Sequence, residues 1–391
     1  MNIEVWGLGK LGLPLASVLT RDGHTVLAYD QNSDHVKWCQ DQQSLERSSG
    51  VNTVDEPNVF MGADNLVFCT EPEPADLNFI VVPTPSQEDG EFDPFYVEEA
   101  VRRIYQLAKR HAIVVIVSTT FPGTVESIHN RYGDKLTVVY NPTFIALGSV
   151  VENLVNPSVL LFGVDEEDDV MLVEDVWDNV LDEAAVVHKH VGSYVEAELL
   201  KLSINCVLAT KISLANSLGK LFSAYGLAPD VVSQIGADPR IGPAYMTPGA
   251  PISGPCLPRD NKALQQAAYK QNLRLPISEA TEDVDFELRI KIYNDITDQV
   301  VEAAQMSRPG SVGILGMTYK YGVPLNEGSI GNWLKHKLLE DGYVVFGYDD
   351  HGWESHDLLE DVLKADVVVV THRELERLSE HAEGEVIHVW S

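Results

Sequence analysis

The sequence predicts an α/β protein in which two doubly wound sheets flank a long helical segment. Three observations carry this. A strand pattern at Asn2-Ile3-Glu4-Val5-Trp6 runs directly into Gly7-Leu8-Gly9-Lys10-Leu11-Gly12, then into apolar residues at helical spacing over 13–21. Strand-period and helix-period stretches then alternate along most of the 391 residues, the rhythm of βαβ units. A second cycle opens at Val312-Gly313-Ile314-Leu315-Gly316, again a strand entering a glycine turn.

Taken in order, a strand is expected at 25–29, ending in Asp30, and others at 65–69, 78–82, 112–117, 136–140 and 158–162. Helices are expected over 94–110 and, acidic in character, near 166–181. Apolar residues then keep helical spacing from Val195 to Tyr225, a helix roughly 45 Å long. A helix of that length usually bridges domains or forms a dimer seam, because one small domain cannot cover its apolar face. Residues 235–261 are rich in Gly and Pro and lack periodicity, and such segments are more often functional than not. In the second cycle a helix is expected over 329–341, with strands over 343–349 and 365–371. The expected domains are a dinucleotide-binding (Rossmann) domain over 1–194, a central long-helix dimerisation domain over 195–298, and a Rossmann-like domain over 299–391.

Acidic residues number 59 against 28 basic, a net charge of −31. A polyanion such as DNA is repelled by that average surface, which argues against bulk nucleic-acid binding. The acidic excess is that of an ordinary solvated surface or of adaptation to high salt. Cys39, Cys69, Cys206 and Cys256 are scattered, with no CxxC pair and no Cys/His metal spacing, so neither a disulfide framework nor a metal site is expected. No basic n-region precedes an apolar stretch, and no apolar run reaches the ~20 residues that span a bilayer. A soluble, cytoplasmic protein without membrane partners is the expectation.

The glycine turn has context on its side. It follows a strand and opens a helix, and Asp30 lies 18 residues beyond Gly12. Glycines let the backbone approach a pyrophosphate, and the helix N-terminus favours its charge. A carboxylate at Asp30 accepts hydrogen bonds from ribose hydroxyls and repels a 2′-phosphate, which argues for NAD over NADP. The alternative is a turn that merely packs a helix on a sheet. In Ser253-Gly254-Pro255-Cys256-Leu257-Pro258-Arg259-Asp260 a cysteine sits among turn residues, constrained and reachable. A nearby cation would favour its thiolate, while the plainer reading is a core cysteine. Lys201 and Asn205 lie four apart and share a helix face. Together they could hold a developing oxyanion, or simply form a solvated face.

Several further segments occur in a telling order. They are Val82-Pro83-Thr84-Pro85; Ser118-Thr119-Thr120 with Pro122-Gly123-Thr124; Asn141-Pro142 with Phe144; Glu198-Leu199-Leu200-Lys201-Leu202 with Asn205; Asp238-Pro239-Arg240-Ile241-Gly242; Cys256 sixteen residues after Arg240; and Gly316 through Tyr319-Lys320. With the glycine turn and the Cys-x-Pro-Arg-Asp element, they make the chain resemble the UDP-glucose/GDP-mannose dehydrogenase family over nearly its whole length.

The resemblance implies NAD-dependent oxidation of the C6 hydroxyl of a nucleotide hexose to a uronate in two steps, with UDP-glucose the leading substrate. A UDP-N-acetylhexosamine or GDP-mannose is the close competitor, and such uronates feed polysaccharide biosynthesis. Cys256 would add to the intermediate aldehyde and pass through a thioester. Lys201 and Asn205 would stabilise the oxyanion, and Asp260 and Thr119 would orient water or move protons. The cofactor would be held by Gly7 through Gly12, Asp30, Pro83, Thr84, Pro85, Ser118, Thr119 and Arg259. The nucleotide sugar would meet Thr143, Phe144, Leu147, Lys201, Asn205, Ser253, Gly254, Tyr319 and Lys320, with Arg240 reaching it from the neighbouring subunit of a homodimer. The family usually has glutamates where this chain has Thr143 and Leu147, and Arg-x-Ser where it reads Glu327-Gly328-Ser329. Pro251 and Ser253 replace glycines. Leu147, Glu327 and the Pro-Cys-x-Pro-Arg-Asp loop resemble a divergent bacterial branch. The reading from a different class is a non-catalytic nucleotide-sugar sensor, for which a retained nucleophile has no use.

Overall fold

The computed structural model describes residues 1–49, 56–303, 310–350 and 357–390, and the chain divides into two units, Met1–Lys201 and Leu202–Ser391. In the first, eight strands form one sheet: β1 (Asn2–Trp6), β2 (Thr25–Tyr29), β3 (Leu66–Cys69), β4 (Leu77–Ile80), β5 (Ala112–Ile116), β6 (Leu136–Tyr140), β7 (Val159–Gly163) and β8 (His188–Gly192). Their order is β3-β2-β1-β4-β5-β6-β7-β8, parallel except at β6–β7, which pair antiparallel through Tyr140 and Gly163. Between the strands run α1 (Gly12–Leu19), α2 (Ser33–Ser49), α3 (Phe95–Leu107), α4 (Thr124–Tyr132), α5 (Val150–Val155) and α6 (Met171–Val180).

The strands are apolar almost throughout because both sheet faces are covered. Phe79, Phe162 and Trp177 are fully buried in one of the two clusters that result, and Tyr140 in the other. The strand order reverses between β1 and β4, which opens a crevice at their C-terminal ends, the usual ligand position in such sheets.

The helix α7 (Tyr194–Ala224) is 31 residues long and spans the boundary between the units. In the second unit the part of α7 from Leu202 packs with α8 (Leu257–Lys270) and α9 (Pro276–Ala303) through a polar seam. Cys206 Sγ lies 3.1 Å from Asn261 Oδ1, Ser278 Oγ donates to the same oxygen at 2.7 Å, and Ser213 Oγ donates to the Thr281 carbonyl at 3.0 Å. The rest is β9 (Ser311–Leu315), α10 (Ile330–Glu340), β10 (Val344–Tyr348), α11 (Leu359–Leu363), β11 (Val367–Val370), α12 (Glu376–Ser379) and β12 (Glu385–His388). The four strands form a parallel sheet in the order β10-β9-β11-β12. Leu288, Ile292, Ile296 and Val300 of α9 join its core. No helix among the described residues is long and apolar enough to cross a membrane.

Some boundaries differ from the sequence expectation. The irregular stretch ends at Cys256, not Asn261, because α8 begins at Leu257 with a proline in its first turn, where a missing N–H costs nothing. The acidic helix near 166–181 opens as a 3-10 turn over Glu167–Val170 and becomes α-helical only from Met171.

Candidate active site

The candidate residues fall into two sets, one in each unit. In the first, the glycine turn connects β1 to α1. A Cβ on Gly7, at φ +94°, would lie 2.6 Å from the Val81 carbonyl oxygen, and one on Gly12 would lie 1.8 Å from the Gly7 oxygen. These two glycines let the turn close on itself. A Cβ on Gly9 would meet no protein atom within 4 Å, so the middle glycine faces open space at the start of α1. Asp30 closes the other side: its Oδ2 accepts from Leu8 N–H at 2.9 Å and its Oδ1 from Asn32 N–H at 2.8 Å. A cradle open at Gly9, a helix N-terminus and an anchored carboxylate with spare lone pairs fit the pyrophosphate and ribose of a dinucleotide. His35, which the sequence did not point to, bonds through Nε2 to the Leu8 carbonyl at 2.8 Å and braces the turn.

Two further loops leave the same end of the sheet, after β4 and after β5. Thr84 Oγ1 donates to the Thr119 carbonyl at 2.7 Å, and Ser118 Oγ to the Val82 carbonyl at 2.7 Å. The Val82–Pro85 and Ser118–Thr120 segments are thus fastened to each other. Asn141 is a structural bolt: it donates to the Leu161 carbonyl at 3.0 Å and accepts from Trp177 Nε1 at 2.8 Å. The following turn carries Thr143 and Phe144. Lys201, 7 % exposed, donates from Nζ to the Thr143 carbonyl at 2.8 Å and lies 4.6 Å from the centre of the Phe144 ring. Leu147 packs against the apolar core.

In the second unit Cys256 occupies the N-cap position of α8 and is exposed. Asp260 follows one turn later, its N–H donating to the Cys256 carbonyl at 2.9 Å. Its carboxylate is 1 % exposed, accepts from Asn205 Nδ2 at 2.6 Å, and pairs with Arg259 Nε at 3.3 Å. The approach to the cysteine is pinned by α9. Asp285 Oδ1 accepts the Ile252 N–H, and the same Asp285 is paired with Arg289 at 2.8 Å. This i,i+4 pair carries no motif signal, because its role depends on a loop about 33 residues earlier in the chain.

Gly254, at φ +89°, abuts the loop after β9. A Cβ there would lie 2.7 Å from the Tyr319 ring, and one on Gly328 would lie 2.6 Å from the Gly254 oxygen. The Ser253–Cys256 turn and the Tyr319-Lys320 segment are therefore brought together. Asp349, at the end of β10, differs from Asp30. It is 2 % exposed, and its Oδ2 takes Met317 N–H, Thr318 N–H and Thr318 Oγ1 at 3.0, 3.1 and 2.9 Å, so it locks its own loop. His372 Nε2 bonds the Thr318 carbonyl at 2.9 Å, and burial lowers its pKa. Arg240 lies on the surface with its guanidinium on Asp238 at 2.7 Å, and among the described residues it touches none of the other candidates.

Residues 1–181 match the model of the UDP-glucose/GDP-mannose dehydrogenase family, NAD binding domain, and residues 195–286 match the same family's central domain. The chain is 27% identical over 371 residues to UDP-glucose 6-dehydrogenase AglM of Haloferax volcanii, covering 91% of this chain and 84% of that one. It is 28% identical over 393 residues to UDP-N-acetyl-D-mannosamine dehydrogenase of Methanocaldococcus jannaschii, covering 98% and 86%. Among solved structures, a UDP-glucose dehydrogenase from Pyrobaculum islandicum superposes with a TM-score of 0.84 at 26% identity, covering 100% of this chain and 98% of that one.

Proposed function

We propose that this chain, which belongs to the UDP-glucose/GDP-mannose dehydrogenase family of NAD-dependent nucleotide-sugar dehydrogenases, oxidises UDP-glucose at C6 to UDP-glucuronate. The observation that carries the reading is Cys256, exposed at the start of α8, with the buried Asp260 one turn behind it and aimed by Asn205. Pure binding has no use for that arrangement. Bound NAD would accept a hydride in each of the two oxidations.

The chain would supply the rest. The glycine turn and the start of α1 hold the pyrophosphate, and Asp30 holds the ribose hydroxyls. Cys256 adds through Sγ to the aldehyde carbon made in the first oxidation, while Lys201 and Asn205 stabilise the oxygen that gains charge. The second oxidation turns this adduct into a thioester. Water then cleaves the C–S bond, releasing the uronate and returning the thiol, with Asp260 and Thr119 directing the water. Arg259, Pro83, Thr84, Pro85 and Ser118 complete the cofactor side, and Ser253, Gly254, Tyr319 and Lys320 the sugar side.

A UDP-N-acetylhexosamine is the second reading, favoured by the equally similar relative from Methanocaldococcus jannaschii. The proposed assembly is a cytoplasmic homodimer through α7, whose Val207, Leu214 and Leu221 recur every seventh residue and are 59, 51 and 51 % exposed. Arg240, exposed and unburdened by other candidates, would then serve the neighbouring subunit. The proposed parts are residues 1–194 for NAD, 195–298 for dimerisation and 299–391 for the nucleotide sugar. Mixing the protein with NAD and a panel of UDP- and GDP-sugars tests the reading. Two NADH per uronate with UDP-glucose is expected, and turnover of another sugar alone would reassign the substrate.

A further inference from the structure

Glu198 lies three residues before Lys201 on α7, in the first unit, and is fully buried. Its carboxylate accepts three hydrogen bonds: from Thr120 Oγ1 at 2.9 Å, Gly123 N–H at 2.6 Å and Val125 N–H at 3.1 Å. The last two donors belong to the N-terminus of α4, which opens with Gly123 at φ +95° and has no side-chain cap of its own. A carboxylate some 75 residues away in sequence therefore caps this helix. The loop it grips contains Thr119, whose carbonyl is held from the other side by Thr84. Thr120 N–H also lies 3.5 Å from the Tyr140 hydroxyl.

All three of these donors to Glu198 are neutral groups. An amide would fill the space without the desolvation cost of a charge, whereas an apolar residue would leave the three donors unpaired. What the carboxylate adds is a mechanical link. One turn along α7, Lys201 is held on the Thr143 carbonyl, so the loop bearing Thr119 and the turn bearing Thr143 are both fastened to the same two turns of helix.

We propose that Glu198 is a positioning residue for the oxidation: its ionised carboxylate fixes the Ser118–Gly123 loop, and Thr119 within it, relative to Lys201, and protonation loosens that loop. This rests on the dehydrogenase reading above. Burial pushes the Glu198 carboxyl up to about 7, the like charge of Glu126 on α4 adds to the rise, and the three hydrogen bonds oppose it. Above that pH the three donors face an anion. Below it they face a neutral carboxyl, a weaker acceptor.

The test uses the full chain as wild type, Glu198→Gln and Glu198→Asp. Turnover of UDP-glucose and NAD is followed from pH 5.5 to 9, and hydrogen exchange of the Gly123 and Val125 amides is followed over the same range, corrected for intrinsic rates. In wild type, kcat should fall below about pH 7 together with protection of both amides. Glu198→Gln should lower kcat at pH 8 roughly 10- to 100-fold, the scale of a small misplacement. It should leave the KM for the nucleotide sugar within a few-fold and abolish the acidic limb. Glu198→Asp should regain the limb and part of kcat. A Gln variant with wild-type kcat, or with an unchanged acidic limb, overturns the proposal. So does pH-independent protection in wild type, whatever the variants do. A wild type that turns over no nucleotide sugar yet shows the pH-dependent protection sinks the functional reading and supports the clasp.

Discussion

Asn205 Nδ2 donates to Asp260 Oδ2 at 2.6 Å, and this bond joins α7 to the first turn of the helix that Cys256 caps. With Arg259 on the other oxygen, the carboxylate nearest the thiol in sequence is aimed by its neighbours. Asn205→Ala withdraws a donor from a buried charged acceptor, a loss of about 1–3 kcal/mol. A lower denaturation midpoint and a lower kcat are expected, with the KM for NAD unchanged. An unaltered midpoint would show that the bond contributes nothing.

Cys256 stands where a helix N-terminus favours negative charge. Cys256→Ser is expected to complete the first oxidation and stall before acid release, since a hydroxyl is the poorer nucleophile. NADH should appear at no more than one equivalent per sugar consumed. Two equivalents with free uronate from the variant would mean that the cysteine is not covalent in the reaction.

Asp30 both anchors Leu8 N–H and presents its charge at the end of β2. NAD should be preferred to NADP, because a 2′-phosphate would meet this carboxylate. Asp30→Ala is expected to narrow the preference and to weaken NAD binding through the loosened glycine turn. Comparable kcat/KM with both cofactors in wild type would remove Asp30 from that role.

Local signals explain what the sequence revealed. The glycine turn, the apolar strands and α7 each announce themselves within a dozen or so residues. Several elements do not, and three of them show why. The helix α9 buries Leu288, Ile292, Ile296 and Val300 as one narrow stripe among charged residues, too thin to stand out from a solvated segment. The strand β8 begins His188-Lys189-His190 because it is an edge with exposed faces, and β12 likewise carries Glu385 and His388 at the edge of the second sheet. At the site, residue types were legible and aim was not. Lys201 was marked by its motif, but its seat on the Thr143 carbonyl comes from a turn 58 residues away. Arg240, marked with equal strength, lies on the surface against Asp238.

Glu4 is a further buried carboxyl, in the central strand β1, and burial raises its pKa from 4.5 to about 8. The folded chain therefore keeps this proton to about pH 8, whereas the unfolded chain releases it near 4.5. Stability falls as pH rises through that window, at up to about 1.4 kcal/mol per unit. Glu4→Gln keeps an oxygen for the Glu73 N–H, which donates to Oε1 at 3.0 Å. The variant's gain in Tm over wild type should grow from pH 5 to 8 and then level off. A gain independent of pH would mean that Glu4 is ionised in the folded state throughout.

Thr143 lends Lys201 its backbone carbonyl, not its side chain, and the Phe144 ring stacks beneath the ammonium. Changing the side chain at 143 therefore leaves the lysine's seat in place. Thioester hydrolysis needs a water stripped of its proton, and general-base help is worth roughly 10²–10⁴-fold. A threonine hydroxyl can position that water but does not accept its proton near neutral pH. Either Asp260 acts as the base or hydrolysis is slow and acyl-enzyme accumulates. On both accounts Thr143→Glu should leave nucleotide-sugar affinity within a few-fold and should not slow acid release. On the second, wild type shows a pre-steady-state burst of NADH that the variant loses. Loss of nucleotide-sugar binding in Thr143→Glu would instead make position 143 a contact that selects the sugar, and the missing base would have to be sought elsewhere.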